Sequence, residues 1–131
     1  MFINKIPAHR KGLDRLWHAF LYSLSGLKYA FKDEIAFRQE LLLFGILTAI
    51  VFFLPISSLY KIFLIVCNAA LLVVELINSA IEAIIDHISP YYSETGKKAK
   101  DMGSSAVFIT LLSVILVWIF TLLNVFNIKL F

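Results

Sequence analysis

Three apolar runs, at residues 35–54, 62–85 and 106–125, constrain this chain more than any other feature. Each reaches or approaches the roughly 20 residues that a helix needs to cross the hydrocarbon of a bilayer. Periodicity does not assign them, because they are apolar all round; their length does. One soluble core of 131 residues could not hide so much apolar surface, since 60% of the residues are hydrophobic and 16% charged. Soluble domains run nearer half apolar and about a quarter charged. The expectation is an all-α integral membrane protein.

Ahead of the first run, Leu13, Leu16, Trp17, Phe20, Leu21, Leu24, Leu27 and Phe31 recur at helical spacing, with Asp14, Arg15, Ser25, Lys28 and Lys32 on the other side. That pattern predicts an amphipathic helix too polar to span, lying in the interface with Trp17 at the headgroup layer. Such a helix can serve as an anchor alone or can also help to cover a site. The chain then divides into a basic tail (1–11), the surface helix (12–33), spans at 35–55, 62–86 and 100–126, and a loop at 87–99. Pro55-Ile56-Ser57-Ser58 forms a tight turn between the first two spans, and Lys100-Asp101 opens the third helix.

The net charge of +3 matters less than its placement. Lys5, Arg10, Lys11, Arg15, Lys28, Lys32 and Arg38 precede or enter the first span, and Lys97, Lys98 and Lys100 lie between the second and third. The first loop carries Lys61 alone, and Lys129 alone follows the last span. Positive charge favours the cytoplasmic side, which puts the N-terminus and second loop inside and the C-terminus outside. These basic residues are juxtamembrane, so nucleic acid is not an expected partner. The opening MFINKIPAHRKG lacks the apolar stretch and cleavage site of a signal peptide. Cys67 is the sole cysteine and reads as packing.

Chemistry concentrates on the second span. Glu75, Asn78, Glu82 and Asp86 fall within about 80° of arc on one helix face. A charge near the bilayer centre costs on the order of 3 kcal/mol even on lenient insertion scales. Something must offset that cost. Oxygen ligands on one face suit a hard ion such as Mg2+, which also accepts water and phosphate oxygens. A lysine at the same level can hold phosphate, and a glutamate withdrawn from water can act as general base on a lipid hydroxyl. The same face would equally suit a proton or cation path, or hydrogen bonding between helices. No glycine-rich P-loop and no protein-kinase motif set is present.

The segment VVELINSAIEAIIDHISPYYSETGKKAKDMGSSAVF, with DEIAFRQE upstream, closely resembles the prokaryotic diacylglycerol kinase family of small three-span membrane enzymes. The resemblance runs from about Arg15 to Trp118 and centres on Glu-x-x-Asn-Ser-Ala-Ile-Glu-x-x-x-Asp followed by Ala-Lys-Asp. It implies a homotrimeric bundle with sites at subunit interfaces, using ATP and Mg2+ to phosphorylate diacylglycerol at the bacterial inner membrane. By that resemblance Glu75 is the catalytic base, Asn78 lies near the transferred phosphoryl group, and Glu34 and Glu82 bind magnesium with ATP. Arg15, Tyr22, Tyr91, Tyr92, Ser93, Lys100 and Asp101 match nucleotide-contacting positions, although Ser93 replaces a histidine of the enterobacterial pattern. Arg38, Gln39, Ser104 and Trp118 match positions lining the lipid site, with Trp118 also suited to a bilayer interface. Asp86 fits hydrogen bonding and catalytic support equally. Ala36 to Glu40 and Lys100 to Ser104 resemble the diacylglycerol branch more than the undecaprenol branch, which has an alanine-rich run after Lys-Asp. The alternatives are an undecaprenol kinase, an ion- or proton-conducting protein, and a non-catalytic assembly subunit. Small residues at Ala69, Ala70, Ser79, Ala80 and Ala83 would let neighbouring second spans approach closely.

Overall fold

The computed structural model describes residues 12–126, which form four α-helices and no strand: α1 (Leu13–Asp33), α2 (Ile35–Phe53), α3 (Ser58–Ile88) and α4 (Glu94–Val125). The basic tail at 1–11 and Lys129 lie outside the described residues. Helices α2, α3 and α4 are each long and apolar enough to cross a membrane. Helix α3 is central, packed against α2 on one side and α4 on the other, while α1 rests mainly on α2. At 31 residues α3 is about 46 Å long, so it outreaches a hydrocarbon core of about 30 Å. The surplus places Glu82, Asp86 and the α3–α4 connection toward one membrane surface.

Gly12 precedes α1 as its N-cap, with a positive φ of 64° that glycine adopts without strain. The helix ends where Glu34 turns extended, at φ −105° and ψ 114°. Arg38 then reaches back from α2: Nη1 donates to the carbonyl oxygens of Phe31 and Lys32 at 2.9 and 2.8 Å. One guanidinium thereby satisfies two carbonyls that the helix end leaves open, and ties α1 to α2. The predicted apolar stripe of α1 faces outward, with Leu13, Leu16 and Trp17 all well exposed and only Ala30 buried. An outward stripe suits a helix that lies in lipid rather than one that packs on its own chain.

The core is small. Val51, Leu64, Val114 and Trp118 form its centre, where α2, α3 and α4 meet, and Leu47, Leu54 and Tyr60 pack around them. In the most apolar window of each spanning helix no more than 22% of the residues are buried. The remaining apolar surface, Phe53, Leu42 and Leu116 included, requires lipid or further protein around it. Near this core two side-chain hydrogen bonds join α3 to α4: Trp118 Nε1 donates to Asn68 Oδ1 at 2.9 Å, and the hydroxyls of Tyr60 and Thr121 meet at 3.1 Å. Bonds of this kind contribute about 0.6–2 kcal/mol each inside a membrane. The Trp118 indole is buried in this core, where Asn68 supplies the partner its N–H needs.

The third span also begins earlier than its apolar run. Helix α4 opens at Glu94, not Lys100, and the connection from α3 shortens to Ser89 through Ser93. Ser93 is the N-cap, its Oγ accepting from the Gly96 N–H at 3.2 Å. Behind it Lys98 pairs with Glu94 at 2.9 Å and Lys97 with Asp101 at 2.5 Å, each one turn apart.

Candidate active site

Burial falls steadily along the polar face of α3. Glu75 and Asn78 are buried, at 5% and 8% exposure, Glu82 is half-buried, and Asp86 is exposed. Asn78 Nδ2 donates to Glu82 Oε1 at 3.4 Å, as the four-residue spacing allows. Asn78 Oδ1 is buried without a partner, an acceptor facing inward with nothing to accept from.

Glu75 lies within Coulombic range of Glu82, of Glu34 and of Glu40. Glu34 is carried there by the extended residue between α1 and α2, so the bend that Arg38 secures also delivers a carboxylate to the acidic face of the same chain. Glu40, which the sequence marks only as part of the stretch resembling the diacylglycerol branch, joins this group of carboxylates. It is half-buried, and its Oε2 is shielded and unpartnered. A carboxylate more than a turn inside an apolar run was the available clue.

A cavity of about 440 Å³ opens at the end of α3, lined by Asp86, Tyr91, Tyr92, Ser93, Gly96, Lys97, Lys100 and Asp101 among others. That volume falls within the range of small-molecule sites. It gathers five of the residues singled out for nucleotide contact. Asp86 sits one helical turn, about 6 Å of rise, from Glu82, so the cavity adjoins the acidic face. Lys100 Nζ donates to Asp86 Oδ1 at 2.5 Å, and Asp101 receives Lys97; both cationic heads are thereby aimed at the cavity wall. Asp86 thus has a hydrogen-bonding part, as holder of Lys100.

A second cavity, of about 620 Å³, lies between α1 and α3 and is lined by Ser23, Gly26, Ala30, Asp33, Glu34, Ser79, Ala80 and Ala83 among others. Its walls are mostly apolar, with Asp33 and Glu34 at one end. Arg15 and Tyr22 are exposed on α1 and line neither cavity. Gln39 and Ser104 are exposed, Arg38 is engaged with the end of α1, and Trp118 lies in the core with Asn68. Among the described residues no three His, Cys, Asp or Glu side chains converge closely enough to hold a metal by themselves.

The family model for prokaryotic diacylglycerol kinase matches residues 21–122. Proteins named diacylglycerol kinase are similar along most of their length. The Haemophilus influenzae protein is 43% identical over 107 residues, 82% of this chain and 91% of its own. That of Pseudomonas aeruginosa is 42% identical over 113 residues, covering 86% and 92% of the two chains. The Escherichia coli K12 protein is 37% identical over 107 residues, covering 82% and 88%. With three spanning helices, a buried carboxylate face and this similarity over most of its length, the chain belongs to the prokaryotic diacylglycerol kinase family.

Proposed function

We propose that this protein transfers the γ-phosphoryl group of ATP to the free hydroxyl of 1,2-diacylglycerol, giving phosphatidate and ADP, at the cytoplasmic face of the bacterial inner membrane. The observation that carries the reading is the juxtaposition of an acidic face on α3, buried at Glu75, with a cavity one turn beyond it that holds Lys97, Lys100, Asp86 and Asp101, in a chain of this family. Nucleotide fits the cavity end, where Lys100 and Asp101 are aligned and Tyr91 and Tyr92 offer exposed rings for a base. Lipid fits the deeper end. Glu75 stands seven residues, about 10 Å, further into the bilayer than Glu82, where a lipid hydroxyl can approach the γ-phosphate.

In this mechanism Glu75 accepts the hydroxyl proton as the lipid oxygen attacks the γ-phosphorus. The bond from that phosphorus to the β,γ-bridging oxygen breaks, and ADP leaves. Asn78 donates to Glu82, steadying that carboxylate beside the transfer point, and Lys100, steadied by Asp86, draws phosphate oxygens. Magnesium fits this donor set, which is carboxylate oxygen, with Glu82 half-open to an arriving ion. The ion is commonly held by one or two carboxylates plus phosphates, so a three-ligand protein cluster is not needed. Glu34 and Glu82 would hold it, and when bound it would neutralise charge on the phosphates.

The working unit is a homotrimer in this account. Exposed Ala80 and Ala83 offer a close-packing strip on α3, and Arg15 and Tyr22, remote from their own chain's cavity, are available to a site completed by assembly. Charge asymmetry supports a cytoplasmic N-terminus and an external C-terminus. The test is magnesium-dependent transfer of label from γ-labelled ATP to lipid by purified protein. Labelled phosphatidate is expected, with undecaprenol a poor competitor. Preferential labelling of undecaprenol would replace the substrate, and no labelled lipid of either kind would remove the kinase reading.

A further inference from the structure

Gly103 is buried on the face of α4 that meets the acidic face of α3. A Cβ built on its backbone would fall on Asn78 Oδ1 and stand 3.3 Å from Asn78 Cγ. The carboxamide therefore occupies space that only glycine leaves open. Asn78 is 8% exposed, its Oδ1 has no hydrogen-bond partner, and its Nδ2 makes one long bond of 3.4 Å to Glu82. So its direction depends on that weak bond and on the bare backbone of α4 against which it lies. Spanning helices here do not demand glycine in general: Gly45 on α2 has open space where its side chain would be.

We infer that Gly103 is a positioning residue of the phosphoryl-transfer site, its missing side chain setting the direction in which Asn78 presents its carboxamide beside Glu82. The inference rests on the phosphoryl-transfer reading and deepens it. Gly103 touches no substrate; it acts through Asn78. A methyl group at this position would meet the far end of a side chain rather than backbone, and alanine favours helix over glycine. The fold can therefore accept the substitution, and the carboxamide is what moves.

The experiment is Gly103→Ala, alone and in an Asn78→Ala background, assayed as purified protein with γ-labelled ATP and diacylglycerol in vesicles. For the single variant, kcat is expected to fall by about tenfold to a hundredfold, as misplacing a positioned group by an ångström does, with KM for lipid within about twofold. In the Asn78→Ala background, where the colliding group is gone, Gly103→Ala should change turnover by less than about twofold. Wild-type kcat in the single variant overturns the inference, and so does a full further loss in the double variant. Should Gly103→Ala fail to assemble, recovery of assembly on adding Asn78→Ala supports the coupling, and continued failure overturns it. The wild-type arm separates the two claims. An inactive wild type removes the kinase reading and this inference with it, whereas an active wild type with either contrary result removes Gly103 alone.

Discussion

At the scale of single residues, the acidic face of α3 assigns different work to similar carboxylates by burial. Glu75 is enclosed, Glu82 half-open and Asp86 exposed beside a lysine. The enclosed one suits proton transfer to or from a lipid group; the more open ones suit ions and phosphates that arrive from water. Glu82→Gln and Glu34→Gln are each expected to raise the magnesium and ATP concentrations needed for half-maximal rate by about tenfold or more, because each removes a hard anionic ligand. Titrating both in the labelled-phosphate assay checks this, and unchanged dependence in both variants would remove the metal assignment. Asn68 is a contrasting case. Asn68→Leu leaves the buried Trp118 N–H unpaired and should lower stability by about 1–2 kcal/mol. Thermal unfolding in detergent should show that loss, while turnover per assembled molecule stays near wild type.

At the scale of elements, the joint between α1 and α2 is where structure adds most to the site. Arg38 resembles a lipid-site position in sequence, yet here it holds the last carbonyls of α1 and so fixes the bend that brings Glu34 toward Glu75. Arg38→Ala is expected to loosen α1 before the spanning helices respond. Hydrogen exchange should quicken by about tenfold or more across Tyr29 to Lys32, reflecting loss of charge-assisted bonds. Unchanged protection there would show that α1 is held otherwise. The three spans were legible because length alone decides an apolar run, and α1 because its stripe is periodic. The start of α4 was not, because Glu94 to Ala99 is polar and belongs to no apolar run. Its signs were a serine cap and charge pairs at four-residue spacing, which are weaker than hydropathy. Glu75, Asn78, Glu82 and Lys100 were visible as a pattern, whereas Glu40 and Gly103 acquire meaning only from what stands opposite them.

At the scale of the whole molecule, a single chain leaves most of its apolar surface and the strip at Ala80 and Ala83 uncovered. That surface needs lipid or further protein, and the family resemblance implies a homotrimer, so cross-linking in detergent should stop at three chains in active samples. Fully active monomers would contradict the assembly. The same scale separates chemistry from architecture, because a polar face that merely joins helices and one that moves a proton differ in what survives its loss. Glu75→Gln keeps the shape and hydrogen-bonding capacity of the side chain and removes its proton acceptor. The decisive measurement is turnover of purified, correctly assembled Glu75→Gln on diacylglycerol. The account predicts a loss of about 100-fold or more with trimer formation retained, as general-base removal produces. Near-wild-type turnover in that sample would contradict it.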